Sequence, residues 1–395
     1  MEADVAAKPA DPIKVMVVVG TRPEAIKMAP ILRDLRSHPD FRPLLVTTAQ
    51  HRELVDEVLE LFGLKPDHDL EVMAERQSLE HVVVRVLTGM GPLLAQERPD
   101  LVLVEGDTST VLAAALAAFH QQVRVGHVEA GLRTRDRYHP FPEEMNRRLV
   151  GCLADLHFAP TERARDNLLS EQVAPQCVFV TGNTVIDALQ QAAALRLPLP
   201  AGVEEPRAGE RLVVLTAHRR ENWGEPLREI CRAVRTLVGA HPDLRVVYAL
   251  HPNPVVQEAA REVLEGVERV MLLNFPSYGQ FVSLMSRAYL IMTDSGGIQE
   301  EAPALGKPVL VLRTNTERPE GVAAGVARLV GVSAPGIVAQ VEALLQDEAS
   351  YRRMAQAANP YGDGRASERI REAIRYCFGR RPDRPGEFRA DVTTA

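Results

Sequence analysis

The chain has 395 residues, 46% hydrophobic and 25% charged, which is a globular balance in a chain long enough for two cores. Lys and Arg number 46 against 53 Asp and Glu, a net charge of −7 that argues against a nucleic-acid-binding surface. The four cysteines (Cys152, Cys177, Cys231 and Cys377) have no CxxC-like spacing, so neither a zinc site nor a disulfide framework is expected, and free thiols in a reducing compartment are.

Residues 1–12, rich in Ala, Asp and Pro, read as a flexible arm. They lack the apolar core of a signal peptide, and no later run is apolar for long enough to span a membrane, so a cytoplasmic location is expected. Lys14–Val19 is an apolar run of the kind found in strands buried on both faces, ending at Gly20. A helix follows, with Pro23 in its first turn and Pro30 as an expected kink. Further strands are expected at 43–47, 101–105, 123–128, 156–159 and 178–181, and helices at 54–61 and 108–119. After Gly182 comes an Ala/Leu helix, then the Pro/Gly/Glu-rich stretch that ends at 210. A second strand series reads at 212–216, 245–250, 270–273, 290–293, 308–312 and 328–330.

This alternation predicts an α/β protein with two Rossmann-like, doubly wound parallel-sheet domains facing each other across a cleft. The expected domains cover 13–190 and 211–378, joined by a linker at 191–210, and residues 379–395 are expected to form a flexible tail. The final helix is expected to be able to pack back on the first domain.

Chemistry-bearing residues collect at the strand ends, where open α/β sheets bind ligands. In TDSGGIQEE (293–301) a strand empties into two glycines and a helix start, which suits a phosphate: free N–H groups, a partial positive charge, and the Ser295 hydroxyl beside Gly296 and Gly297. Glu300 and Glu301 follow one turn in, placed to accept from ribose hydroxyls. Read alone, such a segment is more often a tight turn capped by Asp294 or Ser295. The first strand lacks GxGxxG, so NAD binding is not supported. Arg22 and Lys27 oppose the dipole of their own helix, which points to an anionic ligand. Asp107, Glu129 and Glu143 stand in loops after strands; singly they are caps or partners for Arg133 or Arg147, and as a set they favour acid/base catalysis. His218, in TAHRREN, could donate to a phosphate or supply a proton, and His251 in HPNP invites the same two readings.

GTRPEAIKMAP (20–30), TTAQHREL (47–54), GDTST (106–110), HVEAGLRT (127–134), PFPEEMNRR (140–148), TGNTVIDAL (181–189), TAHRREN (216–222), HPNP (251–254), TDSGGIQEEAPALGKPVLVLR (293–313) and TERPEG (316–321) occur in this order. Together they resemble the non-hydrolysing UDP-N-acetylglucosamine 2-epimerases, from about Lys14 to about Tyr376. The resemblance implies a GT-B-type fold and reversible conversion of UDP-GlcNAc to UDP-ManNAc, for surface polysaccharide synthesis. The implied route eliminates UDP to 2-acetamidoglucal and adds it back, with no metal or redox cofactor.

By the same resemblance, Arg22, Lys27, His218, Ser295, Gly296, Gly297, Glu301 and Arg318 surround UDP, with Phe281 near the uracil and Pro276 offering backbone contacts. Asp107, Glu129 and Glu143 match the acid/base carboxylates, with no division of roles among them, and His218 joins the catalytic group. Gln50, His51, Arg76, Gln77, Arg219 and His251 match a second UDP-GlcNAc site that activates some bacterial members, although Glu53 replaces a common Gln. A homodimer is also implied. The competing functions are a hydrolysing epimerase releasing ManNAc and UDP, a GT-B-type glycosyltransferase, and a non-catalytic nucleotide-sugar sensor.

Overall fold

A computed structural model describes residues 11–48, 52–72 and 78–390, with Arg52 described by its backbone alone. The expected arm up to residue 10, and Gln50, His51, Arg76 and Gln77 of the expected activator site, lie outside the described residues. The chain forms two compact units: one from residues up to Thr184 together with Arg365–Phe388, the other from Val185–Gly364.

In the first unit β1 (Ile13–Val19), α1 (Arg22–Ser37), β2 (Phe41–Thr47), α2 (Arg52–Leu61), β3 (His68–Asp69), α3 (Leu79–Glu97), β4 (Leu101–Glu105), α4 (Ser109–His120), β5 (Arg124–Val128), α5 (Glu143–Leu153), β6 (Leu156–Ala159), α6 (Glu162–Ser170) and β7 (Val178–Val180) follow in order. The strands form one parallel sheet in the order β3-β2-β1-β4-β5-β6-β7. Val, Leu and Met fill β1 and β4 because both faces of these strands are covered by helices. Under α3 and α4, Met16, Val18, Val102 and Val104 pack with Val86, Met90 and a run of buried alanines. The alanines let α4 sit close to the sheet. Strand order reverses between β1 and β4, so the loops after these two strands diverge and leave the crevice typical of doubly wound sheets.

The second unit holds α7 (Thr184–Ala194), β8 (Arg211–Thr216), α8 (Glu225–Ala240), β9 (Leu244–Leu250), α9 (Pro254–Leu264), β10 (Val270–Asn274), α10 (Tyr278–Arg287), β11 (Leu290–Thr293), α11 (Gly296–Ala304), β12 (Val309–Val311), α12 (Pro319–Ala323), β13 (Ala327–Leu329), α13 (Ala334–Gln346) and α14 (Glu348–Gln356). Its sheet is also parallel, in the order β10-β9-β8-β11-β12-β13, with the reversal between β8 and β11.

Two boundaries differ from expectation. The stretch taken as the linker is irregular from Leu195 to Glu210 but is tied into the second unit: Ser283 Oγ donates to Leu197 O at 2.6 Å, and Arg287 pairs with Glu205 at 2.8 Å. The chain passes between units at Thr184–Val185 and returns at Gly364–Arg365. There α15 (Ala366–Cys377) packs on α1, with Arg371 on Asp34 at 2.7 Å and Arg375 on Asp40 at 2.8 Å. The expected flexible tail does not begin at Gly379. Phe388 is buried and its N–H donates to Val180 O at 2.8 Å, Arg384 donates to Val178 O, and the Arg384 guanidinium lies 4.2 Å from the Phe179 ring centre. A polar-looking segment thus covers the edge strand β7 by supplying donors to its carbonyls.

Candidate active site

At the first reversal, Thr21 caps α1 in a capping box with Glu24. The Glu24 carboxylate accepts from Gly20 N at 2.6 Å, Thr21 N at 3.3 Å and the Thr108 hydroxyl at 2.8 Å, tying the β1 loop to the β4 loop. Burial pushes its pKa up, against those hydrogen bonds, which favour the charged form. Lys27 projects from the second turn of α1. Its Nζ lies 2.9 Å from Glu105 Oε1 and 2.5 Å from Glu129 Oε2. The expected anion-facing cation is thus held by two carboxylates. Arg22 opens α1 and is half-buried.

Three carboxylates singled out in the sequence belong to this unit, each in a different setting. Asp107 is gripped by Arg147, whose Nε lies 3.1 Å from Oδ2, while Asn146 Nδ2 donates to the Asp107 carbonyl at 2.9 Å. Glu129 accepts from Asn183 Nδ2 at 2.9 Å besides its ion pair with Lys27. Its φ is +60°, the left-handed region that a non-glycine side chain enters at a cost, and such strain concentrates at functional sites. Glu143 opens α5, and its Oε2 is buried with no hydrogen-bond partner. Its neighbour Glu144 is structural: it accepts from Thr134 N at 3.0 Å and Arg135 N at 3.2 Å and fixes the loop between β5 and α5. That loop turns at Gly131, where φ is +91° and an added Cβ would sit 2.2 Å from Ala164 O. His127 Nε2 donates to Gly106 O at 2.7 Å and joins the β4 and β5 ends. Burial pushes the His127 pKa down to about 4, so the ring is neutral.

At the second reversal the organising residue is Asp294. Its Oδ2 accepts from His218 N at 2.8 Å, Arg219 N at 2.9 Å and Asn222 Nδ2 at 2.9 Å. The side chain therefore serves the β8 loop and does not cap α11, which starts at Gly296 with no side-chain cap. The first N–H groups of α11 are left for another acceptor, beside a half-buried Ser295. The His218 ring stacks on His251, centroids 5.2 Å apart, and its Nδ1 lies 3.6 Å from Asp294 Oδ1. Burial holds the His218 pKa below the usual histidine value; Asp294 opposes this, and His251 and Arg219 reinforce it. A neutral imidazole there can donate one hydrogen bond.

Other expected residues are engaged by protein partners. Tyr278 OH donates to Glu301 Oε1 at 3.0 Å, and Arg318 Nε pairs with Glu300. Phe281 is buried and stacked on Phe275 at 5.1 Å, Pro276 is buried beside it, and Arg219 lies 3.8 Å from Glu317. Sequence reasoning missed Glu24, Glu105, Asn183 and Tyr278, and took Asp294 only as a cap. The sequence signal for them is slight: Glu105 and Asp294 are acidic residues placed directly at the end of an apolar strand run.

A sequence profile described as UDP-N-acetylglucosamine 2-epimerase matches residues 33–375. The chain is 53% identical to a putative UDP-N-acetylglucosamine 2-epimerase of Thermotoga maritima, over 95% of this chain and 100% of that one. It is 49% identical to UDP-N-acetylglucosamine 2-epimerase of Bacillus subtilis, over 95% and 98%. Among solved structures, UDP-GlcNAc 2-epimerase from Neisseria meningitidis bound to UDP-GlcNAc superposes with a TM-score of 0.84 at 46% identity, covering 92% of this chain and 99% of that one.

Proposed function

Because the chain belongs to the UDP-N-acetylglucosamine 2-epimerase family, we propose that it inverts C2 of UDP-GlcNAc reversibly, giving UDP-ManNAc without hydrolysis. The C2 proton is not acidic in the intact sugar. Breaking C1–O and expelling UDP places positive character at C1, and loss of the C2 proton to a carboxylate then gives 2-acetamidoglucal. Protonation from the opposite face and return of the UDP oxygen to C1 complete the inversion, with atoms and charge balanced. No redox cofactor enters this scheme.

The first unit supplies Asp107, Glu129 and Glu143 as acid/base groups. The second supplies the α11 N-terminus with Ser295, Gly296 and Gly297 for the diphosphate, and His218 as a neutral donor to it. Stabilising the leaving group and holding it for re-addition are one task for such a seat. Arg22, Glu301, Arg318, Pro276 and Phe281 complete the UDP set; Lys27, expected there too, is paired with Glu105 and Glu129. The observation that carries this reading is the α11 N-terminus left uncapped because Asp294 is bound to the β8 loop.

A second UDP-GlcNAc, acting as activator, is part of the reading: its residues Arg219 and His251 adjoin His218, so occupancy would be felt directly by a ligand of the diphosphate. A cytoplasmic homodimer making a surface-polysaccharide precursor fits this activity; among the described residues no helix is long and apolar enough to cross a membrane.

Incubation with UDP-GlcNAc in D₂O tests the reaction. Deuterium at C2 of both UDP-sugars is the expected result; free ManNAc would mean hydrolysis instead, and an unchanged substrate would sink the proposal. Asp107→Asn and Glu129→Gln should each lower kcat by roughly 10²–10⁴-fold while UDP binding by calorimetry persists. Started from pure UDP-ManNAc, the assay should need added UDP-GlcNAc; plain hyperbolic kinetics would remove the activator from the reading.

A further inference from the structure

One buried acid takes no part in the reaction above. Glu105 ends β4, a strand otherwise apolar and covered on both faces, at the centre of the first sheet. It is 2% exposed, and its Oε1 meets Lys27 Nζ at 2.9 Å. The same ammonium lies 2.5 Å from Glu129 Oε2. From this bridge we infer that Glu105 is a positioning residue: it anchors Lys27 so that the ammonium stays seated on Glu129, one of the acid/base carboxylates of the proposed epimerisation, on which this inference rests.

The charges explain why an anchor is needed. A lysine side chain has four rotatable bonds and a compact charge that many acceptors can satisfy, so one partner does not fix it. Two acceptors on either side do. The two carboxylates outnumber the single ammonium, and like charges this close resist double ionisation. The charged groups facing Glu105 are Lys27 and Glu24 from α1 and Glu129 after β5, while α4 carries no charged side chain before His120. Burial raises the Glu105 proton affinity well above the usual carboxylate range; Lys27 opposes this, and Glu129 and Glu24 add to it. The Lys27 ammonium lies between the two carboxylates, so a raised proton affinity at Glu105 leaves more of that charge to Glu129.

Two variants separate anchoring from bulk structure. Glu105→Gln keeps an oxygen that accepts from Lys27 at nearly the same volume. Glu105→Leu removes the acceptor at similar volume. We expect Leu to lower kcat about tenfold or more with KM for UDP-GlcNAc within roughly threefold, and Gln to stay within roughly threefold of wild type. An independent readout is the ¹³C titration of the Glu129 carboxyl, assigned by difference against Glu129→Gln: its midpoint should rise in the Leu variant and hold in the Gln variant. Wild-type kcat and an unmoved Glu129 titration in the Leu variant would overturn the inference. So would a rise in KM alone, which would put Lys27 on the diphosphate, or equal losses in both variants with parallel falls in melting temperature. A wild-type chain without epimerase turnover defeats the functional reading, and the Glu129 titration still decides whether Glu105 anchors Lys27.

Discussion

Glu129 and His127 stand two residues apart at the end of β5 and illustrate opposite uses of burial. Glu129 meets Lys27 at 2.5 Å and Asn183 at 2.9 Å, partners that favour its charged form. His127 stays neutral because its Nε2 already donates to a carbonyl and its Nδ1 is buried without a partner, so a second proton would be an unsolvated charge. Its folded pKa, about 4, lies below the ordinary histidine value of 6.5. A depressed folded pKa gives stability that is present above pH 6.5 and lost as pH falls through about 4. Unfolding free energy should therefore fall by up to about 3 kcal/mol per such histidine across this window. His157, also pushed down to about 4 by burial, adds a second contribution. His127→Gln, which can still donate to Gly106 O, should flatten the pH dependence in urea titrations at pH 4.5 and 7; an unchanged slope would mean that the ring titrates freely. Asp107, Glu129 and Glu143 were legible as strand-end carboxylates because strand ends deliver loops to one edge. Glu105 was not, since its meaning depends on Lys27, 78 residues away.

Among elements, strands were the most legible. Leu101–Glu105, Leu156–Ala159 and Leu290–Thr293 form where mostly apolar runs predict them, because a strand buried on both faces leaves little room for polar side chains. The two-residue strand His68–Asp69 has no such run to announce it. Helix α3 is poorly announced too: it contains a valine triplet, two glycines and Pro92, all weak helix formers, and its place against α4 supplies what propensity lacks. At α11 the residues of the turn were legible but their wiring was not. Asp294 binds across to the β8 loop, and only the pairing of β11 with β8 brings them together. Asp294→Ala strands the N–H groups of His218 and Arg219 and should cost about 3–5 kcal/mol. Thermal melts together with UDP calorimetry test this; a variant with wild-type stability and affinity would show that the aspartate does not organise the seat.

At the scale of the molecule, the chain leaves the first unit after Thr184 and re-enters it at Arg365, so α15 and the segment to Phe388 complete that unit from far along the sequence. Phe388 is the anchor of that segment, and Phe388→Ala should cost about 3 kcal/mol or more in chemical denaturation. A loss under about 0.5 kcal/mol would return the segment to the frayed tail its composition suggests. Fold class, the chemistry available at the strand ends and the family are readable along the chain, because apolar periodicity and ordered local motifs are properties of neighbouring residues. Which carboxylates Lys27 bridges, which loop Asp294 holds and where the last segment lies depend on tertiary contacts. Each of these is a contact between residues far apart in the chain, made only once parallel pairing has set the strands in register.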